Sequence, residues 1–393
     1  MSFSPSSQIG DLYELLSRSK QDIGLLLGAG CPSGIDTDSK EPYIPNIKGL
    51  TEKICGSLLD SQLSSKFDKI AKNMEEPNIE EILTKIRGLK RYIGAGDSIS
   101  SLTSEDLDNL EKKVSKKIVD LVSEDLPDFW TPYHSLAVWT RSVEREKPVQ
   151  IFTTNYDLLL EQAFEQKRVP FFDGFIGSYK PFFDSYAMEY DDFPPRWVRL
   201  WKIHGSINWK ISEEDTVKVY RVGENTTDYE DLVIHPSHFK YEESRKMPFL
   251  AMMDKLRNFL NASSSVLITI GYSFGDQHLN DVILQGLQGS NSSAVFGLLF
   301  EKLENYPEAQ TLASEVGNLS ILARDKAVIG TTESRWKTDT NEQNNFEYLI
   351  EEGDEESEES NLATINLGDF ASFGDLLKQI TGSMEGPRSK DGQ

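Results

Sequence analysis

Asp22-Ile23-Gly24-Leu25-Leu26-Leu27 runs directly into Gly28-Ala29-Gly30-Cys31-Pro32-Ser33-Gly34. A short apolar run without alternation is the pattern of a strand buried on both faces, as in a parallel sheet. The glycines after it predict a tight turn where backbone amides approach an anion such as a phosphate. Gly28, Gly30 and Gly34 miss the G-x-G-x-x-G spacing by one residue. Taken alone, this stretch reads equally well as a plain strand-to-helix turn.

The same grammar recurs along the chain. Pro148-Val149-Gln150-Ile151-Phe152-Thr153 enters Thr154-Asn155-Tyr156-Asp157, and Trp197-Val198-Arg199-Leu200-Trp201-Lys202-Ile203 enters His204-Gly205-Ser206. Ser265-Val266-Leu267-Ile268-Thr269-Ile270 enters Gly271-Tyr272-Ser273-Phe274-Gly275-Asp276-Gln277-His278. Residues 294–300 and 319–323 read as further strands. Helical periodicity marks residues 11–20, 49–59, 106–122, 252–260 and 278–287. Strands alternating with helices predict an α/β fold with a doubly wound, Rossmann-like parallel sheet.

Residues 61–147 change texture: Lys, Glu and Ser are spaced among Leu, Ile and Val, as in an all-helical insertion, with a loop at residues 94–98. The expected organisation is a nucleotide-binding domain from residues 1–60 and 148–300, the insertion between its two parts, and a C-terminal α/β extension over 301–380. Residues 351–360 read as a solvated, mobile acidic loop and 381–393 as a disordered tail.

The chain has 393 residues and a formal net charge of −23, which argues against coating nucleic acid or anionic lipid by bulk charge. Its apolar share of 38% still supplies a core. Two cysteines, Cys31 and Cys55, exclude a disulfide framework and a four-cysteine zinc site. No run is long and apolar enough for a membrane span, and residues 1–10 lack a signal-peptide pattern. The expectation is a cytoplasmic protein.

In an open parallel sheet, ligands bind beyond the carboxyl ends of the strands, so the four turns predict one shared site. Asn155 offers a donor and an acceptor for a ribose hydroxyl or water, and Asp157 an acceptor for a carboxamide; both also suit helix capping. His204 has the side-chain type suited to general acid or base work at neutral pH. Gly28, Ala29, Gly30, Ser33, Thr154, Gly271 and Ser273 are candidate cofactor-binding positions. Asp276 is another, with helix N-capping as its bland reading. His235 and His238 form an H-x-x-H pair that reads as surface or structural, and no convincing metal cluster is present.

The order GAG, T-x-N-x-D, HG, G-x-S, each ending an apolar strand, resembles the sirtuin fold. The resemblance covers roughly residues 22–60 and 149–287. It implies NAD at this site, with Asn155, Asp157 and His204 as its catalytic residues and no metal in the reaction. The departures are equally specific. The zinc module of deacylase sirtuins, which follows the HG motif, is absent, because no cysteine follows Cys55. Thr154 stands where deacylases usually carry Gln. The phrase from Gly271 to Asn280 looks like bacterial sirtuin-like proteins of antiviral defence, as do Val233-Ile234-His235-Pro236-Ser237, Lys240-Tyr241 and Asn366-Leu367-Gly368-Asp369-Phe370.

That branch implies an NAD hydrolase releasing nicotinamide and ADP-ribose and depleting NAD during infection. It also implies control by assembly, as a homo-oligomer or with a HerA-type ATPase/helicase or other defence partner, with any nucleic acid met only through the partner. The alternatives are an NAD-dependent protein deacylase and a non-catalytic nucleotide-binding or nuclease-complex subunit.

Overall fold

A computed structural model describes residues 2–37, 41–59, 64–71, 74, 78–93, 98–99, 101–212, 218–223, 232–234, 247–338, 345–352 and 361–382. Its centre is a nine-stranded sheet. In chain order its strands are β1 (Asp22–Leu27), β2 (Gln150–Thr153), β3 (Phe171–Phe172), β4 (Val198–Lys202) and β5 (Ser265–Ile270), then β6 (Ala294–Leu298), β7 (Leu319–Leu322), β8 (Lys326–Ile329) and β9 (Thr332–Arg335). Their spatial order is β3-β4-β2-β1-β5-β6-β7-β8-β9. Strands β3 to β7 in that order are all parallel, and β8 and β9 add an antiparallel edge. The chain leaves β1 toward β2 on one side and returns on the other at β5, so the topological switch lies between β1 and β5.

The described helices are α1 (Pro5–Ser17), α2 (Ile47–Leu59), α3 (Ser64–Ala71), α4 (Ile79–Tyr92), α5 (Ser104–Val122), α6 (Pro132–Ser142) and α7 (Leu159–Gln166), then α8 (Phe249–Asn261), α9 (Gln277–Gly289), α10 (Pro307–Glu315) and α11 (Phe370–Thr381). A short helix, Ser185–Tyr190, lies between α7 and α8. The sheet divides two apolar cores by its period of two. Ile23, Leu25 and Leu27 join Ile151, Leu200, Ile268 and the buried faces of α1, α6, α7 and α11. Leu26 joins Phe152, Trp201, Leu267 and the faces of α8, α9 and α10. Helices cover both faces, as a doubly wound sheet requires, and this is why the strands carry continuous apolar runs. Gly24 is the small residue that admits α8: a Cβ there would meet the Phe259 ring at 2.7 Å.

Between β1 and β2 run α2 to α6, interrupted by a small hairpin of Ser98–Ile99 with Leu102–Thr103. Residues 94–97 of the expected loop lie outside the described residues. Helix α5 starts at a capping box, Thr103 with Asp106. The sheet does not stop at residue 300. Parallel pairing of β6 with β7 carries it onward, and α11 crosses back to pack on Pro132 at the start of α6. Asn366-Leu367-Gly368-Asp369-Phe370 sits at that return. A Cβ on Gly368 would lie 2.1 Å from the Leu299 carbonyl oxygen, and the Asp369 carboxylate caps α11 through Ala371 N–H at 3.2 Å. A second, antiparallel sheet of five strands spans Phe175–Ile176, Phe182–Phe183, Gly205–Ser212, Lys218–Arg221 and Leu232–Ile234. The acidic stretch begins as a strand, Ile350–Glu352; residues 353–360 and 383–393 lie outside the described residues, as do His235, His238, Lys240 and Tyr241. Among the described residues, no helix is long and apolar enough to cross a membrane.

Candidate active site

Because β4, β2, β1 and β5 are adjacent and parallel, their carboxyl-end turns stand side by side. They form one wall of a cavity of about 440 Å³ lined by Ala29, Thr154, Asn155, Asp157, His204, Gly271, Ser273 and Asp276. The start of α4 also lines it, with Asn78, Glu80 and Glu81. Gln277, His278 and Asp281 of α9 line it as well.

The first and fourth turns interlock through backbone. Gly28 N–H donates to Ile270 O and Gly30 N–H to Gly271 O, each at 2.9 Å. A Cβ on Gly28 would stand 2.3 Å from Gly271 O, and one on Gly30 would stand 2.9 Å from Gly271 Cα. Gly271 itself has φ +64°. Both amides, expected as donors to a phosphate, are hydrogen-bonded within the chain, and neither glycine is among the residues lining the cavity. Ser33 lies apart from the cavity as well. It is exposed on the short 3-10 turn Cys31–Gly34, donates its N–H to Gly30 O at 3.2 Å, and is outside the cavity lining. Cys31 is fully buried, with its thiol on Ile270 O at 3.3 Å, and burial pushes its pKa well up.

The second turn is fixed from two sides. Thr154 N–H and Thr153 Oγ1 both donate to Leu27 O, at 3.2 and 3.0 Å. Asn155 Nδ2 donates to Gly28 O at 3.1 Å. A carbonyl only accepts, so this contact sets the amide orientation and leaves Oδ1 as an acceptor. Asp157 is buried; its Oδ1 accepts Leu159 N–H at 3.1 Å. Burial raises its pKa from 3.8 to about 6, against the opposing pull of Lys202.

Beneath this turn, Lys202 Nζ donates to the Asp157 carbonyl and to Glu161 Oε1, the latter at 2.9 Å. A lysine in a strand buried along its whole length is the sequence signal for such a buried pair, since an unpaired buried ammonium is costly. Tyr156 donates its hydroxyl to Glu80 Oε1 at 2.7 Å and so ties the second turn to α4.

His204 follows β4, and Gly205, at φ +91°, starts the next strand. Its Nε2 lies 3.1 Å from Asp276 Oδ2. Asp276 also caps α9, with Oδ1 accepting Leu279 N–H at 3.2 Å. Phe274 sits between these turns at φ +61°, unusual for an aromatic residue. Its full burial and the Asn280 Nδ2 donor on its carbonyl, at 2.7 Å, hold it there.

The structure thus brings Asn155, Asp157, His204, Ala29, Thr154, Gly271, Ser273 and Asp276 together. Glu80, Glu81, Tyr156, Gln277, His278 and Asp281 were not singled out by the sequence. Among the described residues, no group of three or more His, Cys, Asp or Glu is placed to hold a metal ion.

Residues 149–316 match the SIR2-like domain family. This span holds the second, third and fourth turns. The chain is similar to a solved structure described as "Structural Basis for the Mechanism and Regulation of Sir2 Enzymes", with TM-score 0.34 and 14% identity over 75% of this chain and 86% of that chain. It is also similar to a Sir2 homologue–NAD complex, with TM-score 0.33 and 14% identity over 76% and 85%. A Sir2 homologue mutant with ADP-ribose gives TM-score 0.37 and 14% identity over 76% and 87%. No curated protein matches the chain.

Proposed function

We propose that this protein hydrolyses NAD at the nicotinamide–ribose bond, giving nicotinamide and ADP-ribose. The carrying observation is that Asn155, Asp157 and His204, from two different strand ends, line one cavity beside the topological switch. Its volume, about 440 Å³, lies within the ~300–1,000 Å³ of small-molecule sites. The lining carboxylates Glu80, Glu81, Asp157, Asp276 and Asp281 suit a ring that carries positive charge until it leaves. With the Gly28 and Gly30 amides committed elsewhere, the pyrophosphate is left to other lining groups such as Ala29, Gly271 and Ser273.

In the reaction, the C–N bond breaks with its electron pair passing to nicotinamide, which departs neutral. The ribose becomes oxocarbenium-like, and water attacks C1′. Asn155 Oδ1 accepts a bond from that water or a neighbouring ribose hydroxyl. His204 takes the proton that the water loses. Asp157 holds the carboxamide. Charge and atoms balance: NAD and water give nicotinamide, ADP-ribose and a proton.

The likeness to sirtuin-like defence proteins extends the proposal to NAD depletion during phage infection in the bacterial cytoplasm. Within the segment 61–147 the start of α4 lines this site, whereas α6 belongs to the core of the central sheet. Activity is governed by assembly, as a homo-oligomer or with a HerA-type ATPase/helicase. Incubation with NAD and chromatography of products, alone and with that partner, tests this. Nicotinamide and ADP-ribose in equal amounts support it; nicotinamide release only with an acylated peptide favours a deacylase instead.

A further inference from the structure

His204 and Asp276 are 72 residues apart and are carried by different strands. Their meeting is built from both sides. Gly205 turns the chain immediately after His204, while the α9 cap locks the carboxylate: Oδ1 holds Leu279 N–H at 3.2 Å, so Oδ2 faces the imidazole. The Asp276 backbone is held as well, its carbonyl accepting from Asn280 N–H at 2.9 Å and from the Tyr272 hydroxyl at 3.2 Å. Both side chains are only 13% exposed, so the contact is shielded from competing water.

We propose that Asp276 is a positioning residue that selects the working tautomer of His204. An ionised carboxylate only accepts, so the neutral imidazole must carry its proton on Nε2. Nδ1 is then the basic nitrogen, and no described residue hydrogen-bonds to it. When Nδ1 takes a proton from water, the new imidazolium lies against the Asp276 carboxylate, which stabilises it in the transition state. Asp276 therefore acts through His204 rather than as a direct cofactor contact. This deepens the proposed NAD hydrolysis and rests on it for the identity of the reaction, but the tautomer itself does not.

The test is Asp276→Asn in the full chain. Asparagine keeps the size and the capping oxygen, but it turns an NH₂ donor toward His204 Nε2 and reverses the polarity of that contact. Imidazole ¹⁵N NMR of histidine-labelled protein, with His204 assigned by loss of its signals in His204→Gln, reads the tautomer directly. The expected result is Nε2–H in the parent and Nδ1–H in the variant. With NAD, kcat falls ~10²–10⁴-fold while KM is little changed, as for a group acting only in the transition state. An unchanged tautomer overturns the proposal, as does a parent kcat or a loss confined to KM. If the parent protein does not turn over NAD, the proposed reaction fails, and the tautomer comparison still decides whether Asp276 sets His204.

Discussion

Gly28 and Gly271 touch backbone to backbone: a Cβ added to Gly28 would lie 2.3 Å from the Gly271 carbonyl oxygen. The atom in the way is main chain, so no rotamer change relieves the clash. Gly28→Ala is expected to destabilise the fold by about 1–3 kcal/mol or more, as overpacking does, and to lower the melting temperature clearly. Glycine at this turn is required for packing, and a parent-like melting curve would show that the two turns separate easily.

Asp157 gives a pH prediction. Its folded pKa, about 6, lies above its ordinary 3.8, so the folded state binds the proton more tightly than the unfolded chain. The stability tied to this group is fully present below about pH 4 and is lost as pH rises through about 6. The difference corresponds to about 3 kcal/mol. Asp157→Asn keeps an acceptor for Leu159 N–H and removes the ionisation. Chemical denaturation from pH 4 to 7 should show a flatter profile and a gain at pH 7, with NAD turnover reduced. An unchanged slope would mean that the carboxyl is solvated.

Tyr156 and Glu80 join the second turn to the helical segment through a hydrogen bond of 2.7 Å. Tyr156→Phe removes a bond to a charged acceptor, worth about 1.5–3 kcal/mol. Amide hydrogen exchange should speed up first at the start of α4, around Glu80–Ile82. Exchange confined to other segments would show that α4 is held independently of this contact.

The core strands were legible because a strand buried on both faces reads as a mostly apolar run, as in β1, β2 and β5, and β4 keeps that look despite Arg199 and Lys202. The convergence of their turns followed from parallel topology alone. The five-stranded sheet from Phe175 to Ile234 was not legible, since strands as short as Phe175–Ile176 and Phe182–Phe183 leave no periodicity to read. The internal bonds of the Gly28 and Gly30 amides were not legible, since a glycine turn looks alike in sequence whether its amides face a phosphate or a neighbouring carbonyl. Glu80 was hidden by distance, because an ordinary first-turn helix glutamate becomes a wall residue only through the packing of α4. The Lys202–Glu161 pair was readable in principle from a lysine standing at the end of a buried strand.

The most direct test of the central claim is NAD turnover by Asn155→Ala beside the parent protein. Gly28 O keeps its bond from Cys31 N–H, at 3.1 Å, when the Asn155 amide is removed, so the fold should survive with a parent-like melting curve. Nicotinamide release is expected to fall by at least ~10²-fold, as for loss of a positioned catalytic group. Release at the parent rate from a folded Asn155→Ala protein would contradict it.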